Sequence, residues 1–116
     1  MALLDDLKAL GANTDEGLKR FMNHAPLYEK MILKFVESAQ GLEVMPFLEA
    51  GDTETALTNA HTLKGVTGNL SLTPLFTAYD EIVTQLRAGN PEQAKQRMAE
   101  TVPVQQEFLA CISKYL

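Results

Sequence analysis

Apolar residues in this chain recur at three- and four-residue intervals along almost its whole length. No stretch alternates with a period of two or concentrates Val, Ile and Thr as a strand does. That pattern restricts the chain to an all-α fold. With 116 residues, it predicts one domain spanning residues 1–116, because domains run to ~50–250 residues. No room is left for a second catalytic or nucleotide-binding module.

The breaks in the pattern place the helices. Leu3, Leu7 and Leu10 predict a short first helix closed by Gly11. Asn13 and Glu16 stand at capping-box spacing and open a helix carrying Leu18, Phe21 and Met22. Pro26 suits a first turn, and the apolar rows from Leu27 to Ala39 continue that helix to about Gly41. Pro46 leaves 42–50 open between a kinked continuation and a new helix. Asp52 caps a helix reaching about Leu70, with Ala56, Ala60, Leu63, Thr67 and Leu70 as its core stripe. Thr73 as N-cap with Pro74 starts another, whose stripe is Phe76, Tyr79, Ile82, Val83 and Leu86. Gly89, Asn90 and Pro91 separate it from the last helix, where Asn90 and Gln93 have capping-box spacing and Pro103 predicts a bend. The expected architecture is an antiparallel (up-down-up-down) four-helix bundle with one or two short additional N-terminal helices. The five methionines and Cys111 read as core filling.

The Asp52–Leu70 helix has a second, unusual face: His61, Lys64, Gly65 and Gly68 lie at i, i+3, i+4 and i+7. An interior glycine costs a helix ~0.8–1.0 kcal/mol relative to Ala, so two beside one histidine call for a reason other than helix formation. Two reasons are open. The glycines clear space above an imidazole that accepts a phosphoryl group, with Lys64 neutralising the new charge. Alternatively, they let a neighbouring helix pack closely and His61 is an ordinary surface histidine. Leu57, one turn before His61, is equally a docking contact or the edge of the core stripe.

The run Ala60-His61-Thr62-Leu63-Lys64-Gly65-Val66-Thr67-Gly68-Asn69-Leu70 resembles the signature of histidine-containing phosphotransfer (HPt) domains: His-x-Leu-Lys-Gly, small residues, then Asn-Leu-Gly. The similarity extends upstream over Gly17 to Phe21 and Leu27 to Phe35, and downstream from Tyr79 to Gly89. Two departures stand out: Ser71 occupies the place of the final Gly, and Val66-Thr67 replace a smaller pair. The resemblance implies a phosphorelay intermediate of a two-component signalling system. His61 would be the phosphoacceptor through Nε2, Lys64 the neutralising cation and Gly65 the clearance residue; from their place on the helix, Leu57 and Gly68 are the candidates for partner docking. The implied partners are receiver domains of response regulators or hybrid sensor kinases. No cofactor is expected on this chain, the Mg²⁺ belonging to the receiver. A free-standing shuttle and the HPt module of a hybrid histidine kinase share this chemistry, and neither needs an ATP-binding or autokinase module here. The alternative is a helical docking or adaptor module of HPt ancestry that carries no phosphate.

Other chemistries find little support. A histidine-kinase dimerisation helix typically follows its histidine with an acidic residue, where this chain has Thr62. His24, His61 and Cys111 fall on separate predicted elements, so no metal site is expected, and His24 reads as a loop or cap residue. Asp5-Asp6 and Asp80-Glu81 are adjacent in sequence and do not share a helix face. With 10 Lys plus Arg against 15 Asp plus Glu, the net charge of -5 disfavours nucleic acid, which needs concentrated positive charge. Neither a long apolar span nor a signal-peptide pattern is seen and the one cysteine has no partner, so a cytoplasmic, monomeric protein that does not enter membranes is expected. The stretch from Thr55 to Tyr79 contains a single formal charge, Lys64. That leaves a neutral-to-positive window on an acidic protein.

Overall fold

Seven α-helices follow one another in the computed structural model, which describes residues 2–116: α1 (Ala2–Ala9), α2 (Thr14–Arg20), α3 (Ala25–Gly41), α4 (Met45–Glu49), α5 (Thr53–Asn69), α6 (Thr73–Arg87) and α7 (Pro91–Ser113). Among the described residues there is no strand. The segment after Gly41 is therefore a separate short helix, with Pro46 in its first turn, where the missing amide costs nothing.

The helix starts follow the polar caps with three amendments. Asn13, His24 and Asp52 accept the amides of Glu16, Leu27 and Thr55 at 3.2, 3.0 and 3.2 Å. Asn13 thus makes only half of the expected box, since the Glu16 carboxylate turns to Arg20 and Ser71 instead. α6 begins at Thr73 with Leu72 in the cap position and no side-chain cap. Asn90 occupies the cap of α7 but its amide turns back to Gln85 Oε1 at 3.0 Å. The Asn90 backbone N–H already bonds the Gln85 carbonyl at 2.9 Å, which draws the residue against the end of α6. α7 continues through Pro103, whose ring has no amide to offer the Ala99 carbonyl, and both residues are exposed to water.

Helix ends carry a common hydrogen-bond pattern. α1, α4 and α6 stop at Gly11, Gly51 and Gly89, with φ of 102°, 79° and 78°. In each, two backbone amides past the end fold back onto the last-turn carbonyls. α2 does the same with Met22 (φ 57°) and α5 with Ser71 (φ 56°) in the left-handed position. Met22 therefore leaves the apolar row expected of it and is 89% exposed. Of the other methionines Met98 is buried and Met31 and Met45 are half-buried, while Met1 lies outside the described residues.

The core is built from Tyr28, Ile32 and Phe35 of α3, Leu63 of α5, and aromatic and aliphatic residues of α6 and α7. Every member of the α5 stripe, Ala56, Ala60, Leu63, Thr67 and Leu70, is buried. α5 packs chiefly on α6, α6 on α7, and α3 on both α5 and α7. Tyr79 spans the middle, its hydroxyl bonded to Gln105 of α7, and burial raises its pKa. Cys111 is buried in the same core, and desolvation raises its thiol pKa. An inert packing residue is the result.

Candidate functional site

α5 is anchored at both ends, which fixes the face that carries His61. At its start, Asp52 caps the helix, and Asn59 Nδ2 donates to the Glu43 carbonyl at 2.7 Å. At its end, all four carbonyls that a helix normally leaves without partners are satisfied. Leu72 N and Ser71 N take those of Thr67 and Gly68 at 2.9 and 3.1 Å. Arg20 Nη1 takes that of Asn69 at 3.0 Å, and the Tyr28 hydroxyl takes that of Leu70 at 2.7 Å. Burial pushes the Tyr28 pKa up to about 12, which keeps the hydroxyl a donor.

Ser71 is the knot of this end. Its hydroxyl donates to Glu16 Oε1 at 2.9 Å and accepts from Arg20 Nη1 at 2.8 Å, while its carbonyl accepts from Asn13 N at 2.9 Å. The hydroxyl and Arg20 together hold the Glu16 carboxyl below its ordinary pKa. A serine at a left-handed position is strained relative to glycine, and these bonds hold it there. Asn69 contributes its backbone carbonyl to this end.

The two glycines of the unusual face differ in kind. A Cβ on Gly65 would meet nothing within 4 Å, whereas one on Gly68 would lie 2.8 Å from Cδ1 of Phe76. The space at Gly68 is taken by the α6 ring, so that glycine lets α5 pack closely on α6. The space at Gly65 is open to solvent. Leu57 is half-buried and packs against the core.

His61 is exposed, one turn before Gly65. Its Nδ1 lies 3.5 Å from Nη2 of Arg87, at the last turn of α6. No described residue hydrogen-bonds its Nε2. Lys64, half-buried, is paired with Asp80 of α6, its Nζ 2.9 Å from Oδ1. Neighbouring Glu81 points elsewhere, to Arg97 of α7. His61, Lys64, Gly65, Gly68 and Phe76 share the lining of a cleft of about 580 Å³ with Glu16 and Arg20 of α2. The face is accordingly richer in charge than the stretch from Thr55 to Tyr79: Arg87, Asp80, Arg20 and Glu16 all arrive from other helices.

No family model, curated protein or solved structure matches the chain. Chemically, the arrangement is an accessible imidazole with an open turn beside it and two cations on its flanks, one already held by a carboxylate. Among the described residues no group of three or more His, Cys, Asp or Glu side chains could hold a metal ion, and no helix is long and apolar enough to cross a membrane. His24 sits at the start of α3, where its Nδ1 serves as the cap.

Sequence patterns locate His61, Lys64 and Gly65 but not Arg87, Asp80 or Phe76. Arg87 is 26 residues from His61. Its place depends on how α6 is rotated against α5, which no local spacing reports. One signal was present: Arg87 is the basic residue of a helix last turn, where the macrodipole favours a cation.

Proposed function

We propose that this chain is a phosphorelay intermediate: His61 accepts a phosphoryl group from the aspartyl phosphate of one receiver domain and delivers it to the aspartate of another. The observation that carries this is the open turn at Gly65 beside an exposed imidazole whose Nε2 is hydrogen-bonded by no described residue. The signature resemblance from Ala60 to Leu70 agrees with it. In the transfer, the Nε2 lone pair attacks phosphorus, the Nε2–P bond forms, the bond from phosphorus to the carboxylate oxygen breaks as the aspartate leaves, and the Nδ1 proton of the ring passes to water. Delivery runs the same exchange in reverse. The receiver supplies Mg²⁺ and its acidic cluster, and this chain supplies position and positive charge. Lys64 reaches the new phosphate by exchanging its Asp80 partner for it, and Arg87 adds a second cation.

The scaffold for this role is an up-down-up-down bundle of α3, α5, α6 and α7 within one domain. The molecule's 42 × 24 × 21 Å extents support it, since two helices of ~10–12 Å diameter side by side span each short axis. A monomeric, cytoplasmic carrier without a cofactor of its own, binding receivers rather than nucleic acid or membrane, completes the proposal.

The test is incubation with a phosphorylated receiver domain and assay for acid-labile phosphate. Wild-type protein is expected to take up label that His61→Gln does not. No uptake from several receivers, or undiminished uptake by His61→Gln, refutes the carrier function.

A further inference from the structure

Arg87 meets His61 at a nitrogen whose state decides how long a phosphoryl group stays. A guanidinium has five donors and no acceptor and keeps its charge at all ordinary pH. Its contact with Nδ1, at 3.5 Å, is therefore attractive only when Nδ1 holds a lone pair. Two forms of the ring satisfy this: the free imidazole with its proton on Nε2, and the imidazole that carries phosphate on Nε2 once the Nδ1 proton present during attack has passed to water. The form that attacks phosphorus through Nε2 does not, because its proton sits on Nδ1.

Provided Nε2 is the acceptor atom proposed above, we infer that Arg87 is a positioning residue that occupies the Nδ1 lone pair of phosphorylated His61 and prolongs the life of the phosphohistidine. Hydrolysis of a phosphoimidazole proceeds most readily after a proton adds to Nδ1. Water then attacks phosphorus, the Nε2–P bond breaks, and neutral imidazole and inorganic phosphate separate. A guanidinium at Nδ1 hinders the first step both by filling the lone pair and by its charge. The charged groups that line the cleft with His61 are Lys64, held by Asp80 of α6, and Arg20 with Glu16, held by Ser71. None is hydrogen-bonded to Nδ1. Arg87 is exposed at the end of α6, so replacing it leaves the core untouched.

The molecule contains its own reference. His24 is also exposed, and its Nδ1 accepts the Leu27 amide at 3.0 Å, independently of Arg87.

The experiment treats the full chain with phosphoramidate, which transfers its phosphoryl group to an imidazole nitrogen with loss of ammonia and needs no partner protein. Phosphorus and nitrogen NMR then assign the modified atom and follow its decay. Phosphorylation on Nε2 of His61 is expected in the wild type, with an Nδ1 signal shifted by its contact. Arg87→Met should lose phosphate from His61 about three- to tenfold faster, the range of one net hydrogen bond, while phospho-His24 decays unchanged. Arg87→Lys, which keeps a donor, should recover part of the lifetime. Lys64→Met should leave the Nδ1 signal in place. The inference is overturned by equal lifetimes in wild type and Arg87→Met, by an equal acceleration in Lys64→Met, by modification at Nδ1, or by no modification of His61. Receiver-dependent transfer is measured separately, so a failed relay with a normal Arg87 effect counts against the carrier function alone.

Discussion

Gly65 and Gly68 stand on the same face of α5 and look alike in the sequence, yet one turn is empty and the other full. At Gly65 the missing side chain leaves open solvent beside His61; at Gly68 it leaves room for Phe76. The pair separates the two uses of a helical glycine. One leaves the surface beside His61 clear, and the other lets α6 approach. The same division runs along the helix: the His61–Gly65 turn is bare, while the Gly68–Ser71 turn is clamped by α2, α3 and α6.

Filling each turn should break the molecule in different ways. Gly68→Leu forces a side chain into the Phe76 ring and should destabilise the fold by about 1–3 kcal/mol, the usual cost of overpacking. Chemical unfolding measures it, and Phe76→Ala in the same chain should return much of the loss. Gly65→Ala, facing open space, should stabilise by about 0.5–1 kcal/mol through helix propensity alone. Equal effects at the two positions would erase the distinction.

The clamped turn has its own sharper test. Ser71→Ala keeps the left-handed strain and removes both hydroxyl bonds, so it should cost about 1–2 kcal/mol. Ser71→Gly removes the bonds but also the strain, and should retain about 1 kcal/mol more stability than the alanine variant. Urea midpoints of the two variants decide the order.

The smallest effect is in pH. The Glu16 carboxyl is lowered from its ordinary 4.5 by Ser71 and then Arg20. A group depressed on folding contributes stability that is complete above its unfolded value and is lost as pH falls through the lower folded value. The Ser71 clamp should therefore stay intact down to about pH 4.5 and loosen below it, an acid transition that Glu16→Gln lacks. Backbone NMR signals of Asn69 and Ser71 report it while those of Gly65 stay still.

Much of this was legible from residue spacing. The buried stripe of α5, the caps at Asn13 and Asp52, the glycine ends of α1 and α6, and the exposed face with His61 all follow from local rules that act within one or two turns. What spacing left unresolved depends on packing between helices. Phe76 in the notch at Gly68, Asp80 on Lys64 and Arg87 on His61 all come from α6, and each is set by its rotation against α5. Met22 reads as core by its neighbours but sits where α2 must end, in a left-handed turn. Thr73 reads as a cap, yet the residues before it are already engaged in closing α5.

The most direct measurement puts Gly65→Leu through two assays at once: chemical unfolding and phosphoryl uptake from a phosphorylated receiver. The expected result is a protein as stable as the wild type within about 1 kcal/mol that takes up little or no phosphate on an intact His61. Uptake at the wild-type rate would contradict the claim that the open turn is what admits the donor.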